Sequence, residues 1–303
     1  MFCGDGRSET TAHAEEPREQ APPAFSDPGA LLGKQSLSSS SGRTCAARTA
    51  GRDVEVREPR WRRGFTSRIH WIVLQLPMCG RYTLFRLDQW LKNFPMLQIP
   101  PDFFVRYNIA PTQAVPAIAN EHPDRLQLFH WGLIPSWAKD PSIGNRMINA
   151  RAETLAEKPA FKTALRRRRC LVPTDGFYEW RKEGRGHKTP MFIHLKSAEP
   201  FALAGLWDVW QSADGSELPS LTVITTTANA VVAPIHDRMP AIIRQEDYPL
   251  WLTKAEVEPP AVLGLLKPYP AEEMEAYPVA PGVNKPSHDA PDCIARAEAQ
   301  TLF

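Results

Sequence analysis

The pattern of apolar and polar positions divides the chain near residue 78. Before it, stretches such as EEPREQAPPAF and GKQSLSSSSGRT carry few large apolar side chains and no sustained period of 3.6 or 2. That is the composition of a segment with too little apolar surface to offset its ordering entropy. After it, periodic segments follow at short intervals. GRYTLF predicts a strand entry and LDQWLKNF a short helix. AVPAIAN and RLQLFHWGL predict two strands joined through NEHPD. Thr154 to Arg167 reads as helix, with Pro159 at a first-turn position. RCLVPTDGFYEWRK alternates as a strand, and KTPMFIHL, FALAGLWDVW and SLTVITTTAN continue the series. ANAVVAPIH, QEDYPLWL and PAVLGLL predict short helices. Strands outnumber helices and short turns join them. The expected class is α+β, a single domain with a curved, mainly antiparallel β-sheet core and short flanking helices.

Composition narrows this picture. The 303 residues are 43% hydrophobic, ample for a core, and the 30 prolines favour loops and short strands. No apolar run reaches the roughly 18 residues of a membrane helix. RWRRGFTSRIHWIVLQLPMCG has the arginines and apolar stretch of a signal peptide. Its apolar core, WIVLQL, is short, and Pro77 and Met78 stand where small residues are needed for cleavage. Residues 1–77 are therefore expected to be a disordered leader absent from the mature protein. Translation would start at Met78, and residues 78–303 would form the working domain. Five cysteines, without a CxxC pair, argue against a disulfide scaffold or a zinc site and for a reducing, cytoplasmic setting. Residues 78–303 carry 25 basic and 25 acidic side chains, so any nucleic-acid surface must be a local patch.

The stretch PMCGRYTLF then gains a chemical meaning. With Met78 as initiator, its removal would leave Cys79 at the terminus, offering a free amine and a free thiol on one residue. There is no internal repeat, GxGxxG, P-loop or HExxH. Polar, reactive residues with Gly or Pro punctuation concentrate in MCGRYT, NARAET, DGFYEW and IHDRMP.

Those segments belong to a longer ordered set: MCGRYTL (78–84), RYNIAPTQ (106–113), WGLIPSWA (131–138), INARAET (148–154), RCLVPTDGFYEW (169–180), AGLWD (204–208) and TTANAVVAPIHDRMPAII (226–243). The set resembles the SOS response-associated peptidase family, the abasic-site processing proteins. The resemblance implies an active site of Cys79, Asn149, Glu179 and His236. A neutral α-amine, with a pKa of about 8, condenses with the sugar aldehyde of an abasic site as a Schiff base. The thiol of the same residue then closes a thiazolidine ring, which an internal cysteine cannot form. Glu179, flanked by aromatics, is suited to general acid–base work, and His236 to protonating the sugar ring oxygen. The Asn149 amide would hold the amine or the sugar. Cys170, in an apparent core strand, reads as a buried free cysteine.

For DNA the resemblance implies single-stranded binding at the lesion, with cations on phosphates and aromatic faces on bases. The candidates are Arg81, Asn108, Pro111, Trp131, Arg151 and Arg238, with Trp137 beside them. The run RRRR (166–169) is equally explained as a solvated helix end. The expected function is a monomeric, cytoplasmic, nucleoid-associated DNA-repair protein without cofactor, metal or membrane contact. It would crosslink covalently to abasic sites in single-stranded DNA and shield them from strand cleavage, with weak lyase activity through the Schiff base. Two other classes remain open: a cysteine peptidase with Cys79, His236 and Glu179 in its site, acting on other chains or only on its own leader, and a non-catalytic single-strand binder.

Overall fold

The computed structural model describes residues 79–99 and 105–297, so the expected leader lies outside the described residues. Thirteen strands occur among them: β1 (Tyr82–Leu84), β2 (Arg106–Ile109), β3 (Ala114–Ala119), β4 (Gln127–Trp131), β5 (Asn149–Arg151), β6 (Arg169–Thr174), β7 (Gly176–Lys182), β8 (Lys188–Leu195), β9 (Phe201–Gln211), β10 (Glu217–Thr227), β11 (Arg238–Pro240), β12 (Ile242–Ile243) and β13 (Met274–Pro278). The α-helices are short: α1 (Leu87–Trp90), α2 (Pro159–Arg167), α3 (Tyr248–Trp251) and α4 (Pro259–Leu263). Pro159 stands in the first turn of α2, where its missing N–H is no loss. The α+β class with short flanking helices is the one the sequence predicts.

The strands form two sheets. The smaller, in the order β13–β8–β7–β1–β2, is antiparallel throughout. The larger runs β11–β10–β4–β3–β6–β9–β12. In it β9 also pairs with β10, so β10, β4, β3, β6 and β9 close into a ring that leaves no free edge. β4 and β5 both run parallel to β10. Gly205 on β9 lies opposite Cys170 on β6, and a Cβ there would meet the Cys170 Sγ at 2.6 Å. Cys170 thus fills space over a glycine inside the ring, fully buried, and desolvation pushes its thiol upward.

Three departures from the sequence reading bear on the site. RCLVPTDGFYEWRK is two strands in different sheets, not one, because the chain breaks at Asp175. The buried Asp175 carboxylate accepts from the Phe85 and Arg86 backbone N–H groups (2.5 and 3.1 Å) and from Arg86 Nε (3.0 Å). ANAVVAPIH forms turns rather than a helix. There the Asn229 side chain accepts from the N–H groups of Val231 and Val232 and competes with the helical pattern. The four arginines are not a common solvated face. Arg166 and Arg167 pair with Glu256 and Glu258, Arg168 with Asp208, and Arg169 is fully buried.

The smaller sheet has two packed faces. Phe177 of β7 joins the main core, while its neighbour Tyr178 joins a second cluster with Phe192, Val279, Val283 and Cys293. This is the two-residue alternation of a strand. It assigns Glu179 to the face of Phe177, and Trp180 to the face of Tyr178.

Candidate active site

Cys79 enters the smaller sheet just before β1 and lies against β7. Its backbone nitrogen donates to Glu179 Oε1 at 2.5 Å, and both residues are about 4% exposed. The thiol also interacts with the Glu179 carboxyl, and its Sγ lies 4.0 Å from the Arg238 carbonyl oxygen of the larger sheet. The site therefore sits where β1 and β7 of one sheet meet β11 of the other. Cys79 has φ +49°, a left-handed conformation that is unfavourable for any residue with a side chain.

Electrostatics separate the two reactive atoms of Cys79. Burial, and then the Glu179 charge, push the thiol well above its ordinary value, so it rests as a neutral S–H. Burial also raises the Glu179 carboxyl, against the hydrogen bonds from Cys79 and the nearby His236. The carboxyl is thereby moved toward the range in which a group can both take and return a proton.

His236 closes the turn before β11 and is partly exposed. Its Nδ1 accepts from the Arg238 backbone N–H at 3.1 Å, which leaves the ring proton of the neutral form on Nε2, the nitrogen able to donate. The exposed Asp237 carboxylate lies 2.9 Å from the same Nδ1. Asn149 begins β5 and is half-buried. β5 pairs with one side of β10 and β11 with the other, so Arg151 and Pro240 flank Thr225. Arg151 thus lies across β10 from β11, and Asn149 two residues before it on β5, opposite Val223.

The DNA-contact candidates divide in two. Arg151 is exposed, Pro111 is half-exposed, and Trp137 is 62% exposed. Arg238 is buried, 8% exposed, and its guanidinium donates through Nη1 and Nη2 to the two oxygens of Glu153 (2.7 and 2.8 Å) and to the Thr225 carbonyl (2.7 Å). Arg81, Asn108 and Trp131 are interior instead, 2%, 0% and 1% exposed. Trp131 packs edge-on against Tyr82 and donates its Nε1–H to the Ile148 carbonyl. Arg81 and Asn108 bond to one another and to backbone carbonyls of the C-terminal segment. Burial withdraws these three side chains from direct contact with a passing strand. A motif's proximity to the site in sequence does not say which way its side chains face.

Two contributors were not singled out from the sequence. Glu153, inside INARAET, is the carboxylate that holds Arg238, and its own carboxyl is lowered chiefly by that bond. The segment after β13 packs against Arg81 and Trp180, and no motif pointed to it. Among the described residues, one group brings potential metal-ligand atoms within 4.8 Å of one another: His288, Asp292 and Cys293. His288 Nε2 already lies 2.9 Å from Asp292 Oδ2, and the Cys293 thiol donates to the His288 carbonyl.

Residues 78–286 match the family model described as SOS response associated peptidase (SRAP). The abasic site processing protein YoqW of Bacillus subtilis is 45% identical over 221 residues, covering 72% of this chain and 99% of that protein. The abasic site processing protein HMCES of Rattus norvegicus is 31% identical over 249 residues, covering 69% of this chain and 70% of that protein. A solved structure of a protein from Bacteroides thetaiotaomicron superposes with a TM-score of 0.59 at 34% identity, covering 63% of this chain and 85% of the other.

Proposed function

The chain belongs to the SOS response associated peptidase (SRAP) family, and from that premise we propose that it processes abasic sites in DNA, trapping them in single strands as a covalent thiazolidine at Cys79. The observation that carries the reading is the 2.5 Å contact between the Cys79 nitrogen and a buried carboxyl, with a neutral thiol on the same residue. The names of the relatives, abasic site processing proteins, supply the substrate class.

The active form begins at Cys79, with Met78 and everything before it removed. The family match from residue 78, and a relative matched over 99% of its length by 72% of this chain, support that start. Freeing the nitrogen also removes the φ restraint now imposed on Cys79. An imidazolium at His236 gives its Nε2 proton to the sugar ring oxygen while the C1′ hydroxyl loses its proton to water, and the ring opens to the aldehyde. Glu179 takes a proton from the Cys79 ammonium, and the neutral amine adds to the aldehyde carbon. Loss of water gives the imine. The S–H then adds across C=N, sulfur to carbon and hydrogen to nitrogen. The balance is aldehyde plus cysteine to thiazolidine plus water, with no redox change. Asn149 holds the amine or the sugar, exposed Arg151 meets a phosphate, and the exposed Trp137 face is offered to a base.

The raised thiol counts against a peptidase built on a resting thiolate. One observation favours a narrower second reading, self-processing ahead of Cys79. The nitrogen beside Glu179 is the leaving nitrogen of the Met78–Cys79 peptide bond.

Protein beginning at Cys79, mixed with single-stranded DNA carrying one abasic site, is expected to give an adduct that survives denaturant. Cys79→Ala loses it, and undamaged DNA forms none. An equal adduct on undamaged DNA, or from Cys79→Ala, refutes the aldehyde mechanism.

A further inference from the structure

A nucleophile at a chain terminus has a mechanical problem, because terminal residues fray unless something ties them down. Once its nitrogen is free, Cys79 keeps one neighbour in the chain, Gly80, which has no side chain to anchor. The first anchored side chain is Arg81, 2% exposed. Its backbone carbonyl accepts from the Tyr178 N–H at 2.9 Å, which fixes the register against β7 one residue before Glu179. Its Nη1 donates to Asn108 Oδ1 (2.8 Å) and to the Val283 carbonyl (2.7 Å). Its guanidinium lies 5.6 Å from the centre of the Trp180 ring, one residue after Glu179.

The other end of this anchor is the segment 279–297. It crosses the outer face of the smaller sheet, opposite Glu179. Asn108 Nδ2 donates to the Val283, Lys285 and His288 carbonyls (3.1, 3.0 and 2.6 Å). Trp180 Nε1–H donates to Asn284 Oδ1 at 2.7 Å. Val279, Val283 and Cys293 complete the cluster around Tyr178 and Phe192. The side chains on either side of the acid–base carboxyl and the first anchor of the nucleophile therefore rest on one backing strap.

We infer that Arg81 is a positioning residue, which with the strap 279–297 holds the Cys79 nitrogen against Glu179, and that it makes no direct contact with DNA. The inference rests on the proposed thiazolidine reading of the site. A guanidinium suits the task because its planar fork serves a side-chain oxygen, a backbone carbonyl and a ring face together, which an ammonium cannot. A displacement of about 1 Å between reacting groups lowers a rate by about 10²-fold.

The test separates chemistry from binding. Crosslinking to a single strand with one abasic site is followed in single turnovers from pH 5 to 9. Binding is measured on the same strand carrying a tetrahydrofuran analogue, which has no aldehyde. Arg81→Met is expected to crosslink about 10²-fold more slowly per folded molecule, with a displaced pH profile and analogue binding within threefold of wild type. Arg81→Lys falls between. Asn284→Ala and Trp180→Phe, which loosen the strap alone, slow the step several-fold and keep the inference testable should Arg81→Met not fold. Loss of analogue binding in step with rate makes Arg81 a phosphate contact and overturns the inference, as do wild-type rates in the strap variants. A wild-type protein that forms no adduct overturns the parent reading instead.

Discussion

At Glu179 two influences oppose one another. Burial favours the neutral carboxyl, while the Cys79 N–H and His236 favour the carboxylate. Burial is the larger, so the folded group titrates above its ordinary 4.5. Two outcomes follow, of different sign. For catalysis the carboxylate must be present to unload the ammonium, so crosslinking should fall as pH drops through a limb lying above 4.5. Glu179→Gln should slow the step by about 10²–10⁴-fold and abolish that limb, read from the rate of adduct formation against pH. For stability, a raised folded value favours the fold at low pH, and that contribution is lost as pH rises through the folded value. Glu179→Gln keeps an oxygen for the Cys79 N–H without an ionisable group. It should therefore melt higher than wild type at pH 8, with the gain shrinking at pH 4. A gain that grows toward acid would mean that the carboxyl is lowered in the fold, not raised. At this scale the sequence spoke clearly where a residue type is itself unusual: a cysteine after a methionine, a glutamate between aromatics. It was silent on direction, and so Arg81, Asn108 and Trp131 read like surface residues although their side chains point inward.

Among the elements, the run of four arginines shows what pattern alone conceals. Periodicity places Arg166 to Arg169 at a helix end, where cations complement the dipole. In the fold the helix stops at Arg167, and Arg169 opens β6 facing inward. It serves as a clip between two helix ends. Its guanidinium donates to the Leu165 and Arg166 carbonyls at the end of α2, and to the Trp251 and Thr253 carbonyls beyond α3. Those are carbonyls that a helix terminus leaves without partners. No carboxylate shares the site among the hydrogen bonds of Arg169, and burial lowers its value to about 10. Arg169→Met fills the volume but strands these acceptors, and should destabilise the fold by about 3 kcal/mol or more, measured as a lower urea midpoint at unchanged slope. A loss below about 1 kcal/mol would show that water replaces the guanidinium there. The same limitation explains the strand broken at Asp175. The alternation is continuous in the sequence, and only the buried carboxylate, answering N–H groups some ninety residues earlier in the chain, shows where one sheet ends and the other begins.

The molecule as a whole carries a weak field, and this decides how it can hold DNA. Residues 78–303 balance 25 basic against 25 acidic side chains. Several of the cations that a count would assign to DNA are already committed: Arg81 to the strap, Arg166 to Arg168 to carboxylates, and Arg169 to helix ends. On the proposed reading, exposed Arg151 is the phosphate contact left at the site by this accounting, because Arg238 is buried and paired with Glu153. Single strands lose about 0.7 logarithmic units of affinity per phosphate neutralised for each tenfold rise in salt. One contact therefore predicts that binding of a tetrahydrofuran-bearing strand weakens only about threefold between 50 and 200 mM salt, and that Arg151→Gln removes most of this dependence. Such binding is too weak to hold a lesion for long by charge alone. On the proposed reading the covalent bond supplies the retention, so the adduct, once formed, should persist unchanged across the same salt range. A hundredfold loss of analogue binding would reveal a broader cationic face, and an adduct that dissolves in salt would show that charge, not the ring at Cys79, is what holds the strand.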